Sequence, residues 1–344
     1  MMRRILKKFK IVNDLFVENG VHGFSKVFVF FDLIYCKKIL HATYNEYFLY
    51  GFQNLKNSIR KNYLLRYHQR ARYPLVDNDI ERKLGSGKDK QYKVFWDIIG
   101  REWIYATPEN LTEIKEFIKK HGKVIFKPVF GSQGKGIFSV SANEMDNMLA
   151  KIILKITDQK YICEEYLVQH PKMNQMNSYS VNTIRIITLC DGDNVKIISA
   201  ALRTSVEKKV CDNLSDGGLG AAVDTNTGVI VAAGCDYNNK RYFYHPDSNT
   251  ELIGFEIPYW SEVTKMVKEA ALRVNRNAIV GWDIAISEVG PCLIEANNRP
   301  AGKAAQISLQ QPCGEEIINY INKNWRKYHK KIPKGIKELN KRFG

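Results

Sequence analysis

Over the first 72 positions apolar residues recur three and four apart, in SKVFVFFDLIYCKKILH and YFLYGFQNLKNSIRKNYLLRYHQR, with basic residues between them. That spacing predicts helices with one apolar face. Residues 73–90 contain Pro74, Gly85 and Gly87 and read as a linker. One amphipathic helix is expected near Tyr92–Ile99. Another is expected over Glu109–His121, with Thr107 as its N-cap and Pro108 at the first helical position. After Gly122 the texture changes. KVIFKPV and IFSVS read as strands around the glycine-rich GSQGKG, NEMDNMLAKIILK as a helix, and KYICEEYLV as another strand. NTIRIITLC and VKIISAALRTS flank DGDN, and AAVD and GVIVAAG flank TNTG, which are hairpin signals. A helix is expected at Trp260–Val274, followed by GWDIAISEVGPCLIEANNRPAG, two short strands joined by Glu288-Val289-Gly290. No repeat is visible, and no regular βαβ alternation. The fold class is therefore α+β, not a doubly wound dinucleotide fold.

The last hairpin carries chemistry. Asp283, Glu295 and Asn297 sit inside strands that otherwise want burial. A three-residue turn with Gly290 in the left-handed conformation puts Asp283 opposite Glu295, with Asn297 two further along the same face. Carboxylates that close repel, and one pKa rises unless a cation neutralises the pair. Oxygen-only ligands of this kind favour Mg²⁺. A solvated surface face is the plainer alternative, and the apolar flanks Ile284, Ile286, Leu293 and Ile294 weigh against it.

GSQGKGIF holds Gly131, Gly134 and Gly136, with Ser132 and Lys135 as donors. Glycines let backbone N–H groups approach an anion closely. The stretch fits neither GxxxxGK[ST] nor GxGxxG, and it lies between two strands. A ligand-free glycine turn is the alternative. Lys127, on the strand leading in, tilts the balance, because a buried lysine needs a reason.

Composition narrows the class. At 344 residues, 44% hydrophobic and 26% charged, the chain reads as a soluble globular protein of two or three domains. Its longest apolar run, Val27–Phe31 with Leu33 and Ile34 beyond, is broken by Asp32 and too short to span a bilayer. No signal-peptide pattern follows the basic residues 1–10. The seven cysteines form no CxxC pair and read as reduced and buried, in a cytosolic protein without zinc. Net charge is +16, but residues 1–72 hold 14 Lys/Arg against 4 Asp/Glu and residues 323–344 hold 9 against 1. The middle is near neutral. Basic ends suit an anionic membrane surface, nucleic acid or an acidic polymer. No nucleic-acid-binding module is recognisable, which makes nucleic acid the less favoured partner.

Taken together, FKP, GSQGKG, CEEYL and D-x(11)-E-x-N resemble the ATP-grasp superfamily. Within it, SVNTIRIITL, ALRTS, DNLSDGG, VGWDIAI and LIEANNRP are similar to the sugar-transfer-associated ATP-grasp group, over residues 90 to 312 and more loosely at the helical amino end. The resemblance implies two α+β subdomains gripping Mg-ATP. Residues 1–89 would be a basic helical region, 90–322 the ATP-grasp domain (122–170 the glycine-loop part, 171–322 the metal and substrate part), and 323–344 a basic tail. It implies that Lys127 holds phosphates and that the loop from Gly131 to Gly136 covers them. Glu164, Glu165 and Leu167 would border adenine, and Asp283, Glu295 and Asn297 would hold two Mg²⁺ ions. An earlier lysine, Lys90 or Lys93, would also reach the nucleotide. The usual acidic ribose ligand is missing, leaving His170 in that region. An arginine expected two residues before the first metal acid is Gly281 here.

Arg185 and Arg203 are the candidates to replace that arginine. They share a face if the loop between their strands is the three-residue Gly192-Asp193-Asn194. Structural ion pairs are the alternative. Asp212-Asn213 and Gly217-Gly218 would shape a nearby acceptor loop. The activity implied is an ADP-forming carbon–nitrogen ligase working through an acyl phosphate, on a small carboxylate and an amine or sugar acceptor in surface-polysaccharide assembly. A sugar kinase on the same fold and a nucleotide-binding scaffold at the membrane are the alternatives. The expected location is cytoplasmic, peripheral to the inner membrane face.

Overall fold

The computed structural model describes residues 12–72, 83–85, 87–131, 134–207, 209, 212–275, 277–298 and 300–328. Residues 73–82 and 86 of the expected 73–90 linker, Ser132 and Gln133 of the glycine loop, residues 1–11 of the basic amino end and residues 329–344 of the basic tail lie outside the described residues. The described residues fall into two compact units. The first takes those within Met1–Leu75, Asn238–Lys240 and Ala301–Gly344; the second takes those within Val76–Tyr237 and Arg241–Pro300.

The first unit is helical, as its spacing predicts. It contains α1 (Ser25–Tyr35), which runs into a π-helical turn at Cys36–Leu40, and α2 (Tyr44–Leu49). Thr43 caps α2 in a reciprocal box with Glu46. Its core gathers Phe16, Leu33, Cys36, Tyr47, Phe52, Tyr63 and Leu65. Two later helices, Gly302–Leu309 and Glu315–Tyr328, belong to this unit. The amide of buried Gln306 accepts from Leu64 N at 2.6 Å, and Gly314 N donates to Asn62 O at 2.9 Å. These bonds, distant in sequence, tie residues after 300 to the segment at 62–64 within this unit.

The second unit holds two antiparallel sheets. The smaller has the order β1 (Trp103–Ala106), β4 (Tyr161–Glu165), β2 (Lys123–Pro128), β3 (Phe138–Ser141). Two helices, α4 (Leu111–His121) and α5 (Met145–Asp158), bury Ile114, Phe117, Ile118, Ile152 and Ile156 against it. Thr107 and Pro108 open the segment before α4 as expected, though its first turn, Pro108–Asn110, is 3₁₀. A short helix, α3 (Lys88–Val94), begins four residues before the expected Tyr92.

The larger sheet has the order β11 (Gly290–Asn297), β10 (Asn277–Ser287), β5 (Thr183–Asp191), β6 (Asn194–Thr204), β7 (Leu219–Val223), β8 (Gly234–Cys235), β9 (Arg241–Tyr242). Ile184, Ile186, Ala200, Leu202, Val280, Trp282 and Ile284 face its core with Val263, Val267 and Ala271 of α6 (Trp260–Val274). The expected second strand of the TNTG hairpin shrinks to a single bridge, Val223↔Ile230. On its other side, Ile230 N donates to Phe255 O at 2.9 Å.

Two hairpins depart from the expected turns in the same way. Ser287 pairs Gly290 and Asp191 pairs Asn194, so each loop has two residues, Glu288-Val289 and Gly192-Asp193. Each ladder then shifts by one residue, at Ile294 and at Ile198. A bulge adds one residue to one strand, which reverses the facing that a two-residue loop alone would impose. Asp283 therefore does face Glu295, and Arg185 and Arg203 do share a face, by a two-residue loop plus a bulge in place of a three-residue loop.

Candidate functional site

Across three strands of the larger sheet run Glu295, Asp283 and Arg185, each the direct partner of the next. One pair further along β10, Ala285 faces Thr183, which faces Arg203. Gly281, Ala201 and Gly220 occupy the remaining partner positions, so small residues leave space for the long side chains.

Arg185 grips Asp283 with two parallel bonds, Nε to Oδ1 at 2.5 Å and Nη2 to Oδ2 at 2.8 Å. Arg203 Nη1 reaches Oδ1 at 3.2 Å, while its Nη2 donates to Asp212 Oδ1 at 2.9 Å and to Asn213 Oδ1. Thr183 Oγ1 donates to Asp212 Oδ2. Asp212 and Asn213 thus join the arginines. A Cβ on Gly218 would meet Asp212 O at 2.6 Å, so only glycine permits that close approach. Burial tends to raise the Asp283 carboxyl, but Arg185 and Arg203 outweigh it and hold it below the ordinary range. At Asp212 burial wins over Arg203 and the carboxyl is raised.

Glu295 behaves differently. Half-buried, it makes no hydrogen bond or ion pair with the described residues. Burial, then the charge of Asp283, pushes its carboxyl up, against Lys88, Arg185 and Lys127. Asn297 Nδ2 makes one long contact with Asp283 Oδ2 at 3.5 Å, which leaves the Asn297 carbonyl oxygen for another partner. An ionised carboxylate accepts at about four lone-pair positions, so Asp283 keeps capacity on Oδ2. The donor set suits a hard divalent cation: an unpaired carboxylate, a carboxamide oxygen and a shared aspartate.

Helix α3 connects this row to the smaller sheet. Lys88, Gln91 and Tyr92 lie at i, i+3 and i+4, on one face. Gln91 bonds both the N–H (2.9 Å) and the C=O (2.8 Å) of Ala296, between Glu295 and Asn297. Lys88 Nζ donates to Gly131 O at 2.8 Å and lies within electrostatic reach of Glu295 and Glu164. Tyr92 donates to Glu164. Neither Lys90 nor Lys93 makes these contacts; Lys93 lies over the Tyr105 ring. Lys88, Gln91 and Tyr92 are the residues that sequence reasoning passed over, although K-x-x-Q-Y has the spacing of one helix face.

Glu164, which the resemblance sets beside adenine, is a buried acceptor shared by three side chains. It is 2% exposed and accepts from Arg101 Nη2 at 2.9 Å, from Lys127 and from Tyr92. Burial opposes its charge, yet Arg101 and Lys127 bring its pKa down to about 2. Burial lowers Lys127 despite that partner. Glu165 accepts from Glu102 N at 3.3 Å, and Leu167 lies half-buried just beyond β4. His170 caps the helix Pro171–Met176: its Nδ1 accepts from Lys172 N at 3.0 Å. That accounts for this nitrogen without a ribose.

In the glycine loop, Gly131, Gly134 and Gly136 all have positive φ, at 152°, 71° and 78°. Lys135 is exposed beside them. Gly281, where the resemblance led to the expectation of arginine, lies against Pro300: a Cβ there would meet Pro300 Cβ at 2.7 Å. Arg185 brings a guanidinium to Asp283 from the neighbouring strand instead.

Among solved structures, the chain is similar to the ATP-grasp ligase PsnB complexed with minimal precursor, at 15% identity and TM-score 0.43, over 69% of this chain and 60% of that one. It is similar to D-alanyl-alanine synthetase A from Vibrio cholerae at 11% identity and TM-score 0.43, over 69% and 64%. It is also similar to N5-carboxyaminoimidazole synthase from Aspergillus clavatus, in complex with ADP and 5-aminoimidazole ribonucleotide, at 11% and 0.43, over 68% and 52%. The chain spans less than two thirds of the length of each. No curated protein matches it. Residues 58–317 match the family of sugar-transfer associated ATP-grasp proteins, and the chain belongs to that family.

Proposed function

We propose that the chain is a Mg-ATP-dependent ligase that joins a carboxylate to an amine, or to a hydroxyl, through an acyl phosphate. The observation that carries this reading is the row Glu295–Asp283–Arg185, in which one carboxylate has no direct cationic partner. Lys88, Arg101, Lys127, Arg185 and Arg203 stand against Glu164, Asp212, Asp283 and Glu295, five cations to four carboxylates. Such an array is nearly neutral and holds a polyphosphate poorly by itself. Added cations at Glu295, Asn297 and Asp283 would supply the missing charge, and the family resemblance implies two Mg²⁺ ions. Bound there, magnesium would neutralise phosphate oxygens.

In this reading Lys88 and Lys127 hold phosphates and the Gly131–Gly136 loop covers them. A substrate carboxylate oxygen attacks the γ-phosphorus and the bond to the ADP oxygen breaks. An amine then attacks the acyl carbon, loses its proton to solvent, and phosphate leaves. Arg185 and Arg203, beside Asp212 and Asn213, orient the carboxylate and stabilise the tetrahedral oxyanion. A sugar or surface-polysaccharide precursor is the proposed substrate class by family analogy alone. The basic ends would hold the protein at the inner face of an anionic membrane.

The test is ATP turnover with Mg²⁺, with and without amino acids and uronic-acid sugars, beside Glu295→Ala. Phosphate release that needs both acceptors and fails in Glu295→Ala is expected. Transfer to a sugar hydroxyl without an amine requirement would make the protein a kinase. Binding of Mg-ATP without turnover in any pool would leave a nucleotide-binding scaffold.

A further inference from the structure

Helix α1 turns an apolar stripe outward. Phe24, just before it, is 91% exposed, Phe28 77% and Phe31 66%, and Val27, Tyr35 and Ile39 are also exposed. Positions 24, 28, 31 and 35 follow i, i+4, i+7, i+11, one line along a helix. Large apolar side chains gathered in a line mark an interaction surface, where scattered ones do not.

The other side of the helix is already occupied. Leu33 and Cys36 lie in the core. Asp32 accepts from Arg60 at 2.6 Å and from the Tyr47 hydroxyl at 2.7 Å. The acid of this helix is therefore neutralised from within the unit. Lys38 is exposed at the end of the stripe, and Lys37, also exposed, donates to the Tyr44 hydroxyl at 3.2 Å. The exposed Asp14 and Glu18 lie on the preceding helical stretch, and Glu46 is bonded to Thr43 and Arg66 N. Residues 1–72 hold 14 basic side chains against these 4 acids. No helix among the described residues is long and apolar enough to cross a membrane.

We propose that this face seats on an anionic lipid surface, with Phe24, Phe28 and Phe31 entering the boundary between headgroups and acyl chains. Lys38 and the other cations of this basic region meet lipid phosphates. An apolar stripe edged by cations lies in the plane of the interface and gains from both terms. Charge favours lipid over a second copy, because two such faces would bring like-charged regions together. The inference rests on the membrane part of the proposed function and is independent of its chemistry.

The experiment is flotation of the full chain with phosphatidylcholine vesicles and with vesicles enriched in phosphatidylglycerol. The chain is expected to float with the second and not the first. Phe28→Ser with Phe31→Ser should weaken that partition by about tenfold or more with an unchanged Tm. Phe28→Trp should gain fluorescence quenched by brominated lipids, beyond the quenching of the parent. Equal binding by the double variant would overturn the face and leave the basic ends as the sole attachment. No binding by the parent would overturn both this face and the membrane reading, with ATP turnover still to speak for the site. Self-association that Phe28→Ser abolishes, without vesicle binding, would make the occupant a second copy.

Discussion

Asp283 and Glu295 stand directly opposite each other on adjacent strands, and only Asp283 is held by guanidinium groups. Burial and the charge of Asp283 push the Glu295 carboxyl upward. An acid raised in the fold ionises there at a cost to stability. The cost begins as pH rises through the ordinary glutamate range and is complete above the folded-state pKa. At neutral pH, Glu295→Gln should therefore stabilise the metal-free protein, on the order of 1 kcal/mol. The same change should remove the rise in Tm produced by Mg-ATP. Thermal unfolding with and without Mg-ATP reads both, and a full Mg-ATP response in the variant would count against Glu295 as a ligand.

Glu164 carries the opposite sign. Its pKa is brought to about 2 by Arg101 and Lys127 against the effect of burial. The stability it contributes is present above the ordinary glutamate pKa and is lost as pH falls toward about 2. Glu164→Gln leaves Arg101 and Lys127 without their shared carboxylate, a loss of about 3–5 kcal/mol at neutral pH. Urea unfolding at a series of pH values should show the gap to the parent closing on the acid side. A gap that ignores pH would point to packing instead of charge.

Lys88 is the lysine of α3 that reaches the glycine loop. Lys88→Met should lower ATP affinity about tenfold, the scale of one charge-assisted contact, while Lys90→Met and Lys93→Met stay within about twofold. Titration calorimetry on the three variants distinguishes them. Equal losses at all three would mean that only general charge matters.

Gly281 has no room for a side chain beside Pro300. Gly281→Ala should destabilise by about 1–3 kcal/mol through overpacking, read as a lower urea midpoint. Adding Pro300→Gly should recover part of that loss. A neutral Gly281→Ala would show that the segment at Pro300 yields freely.

Much of this was legible in the chain itself. The period of two along GWDIAIS sets Trp282, Ile284 and Ile286, which face the apolar core, apart from Asp283, which is buried on the other face against Arg185 and Arg203, and the same alternation sets Arg185 apart from Ile184 and Ile186. Trp260–Val274 was readable to its ends, because its apolar spacing and its packing against the sheet agree. Facing along a strand depends on parity, and a short-range pattern records parity directly.

What only the tertiary structure decided is how that parity was achieved and which charges meet. The bulges at Ile198 and Ile294 compensate for turns one residue shorter than expected, and neither isoleucine announces a bulge. Glu164 reads as a hinge residue until Lys127, Arg101 and Tyr92 arrive from three other segments to bury it. Lys88 reads as linker until Gln91 locks its helix onto Ala296. A strand's own residues dictate which side each side chain takes. An ion pair between distant segments depends on where the whole chain brings them, which no local pattern encodes.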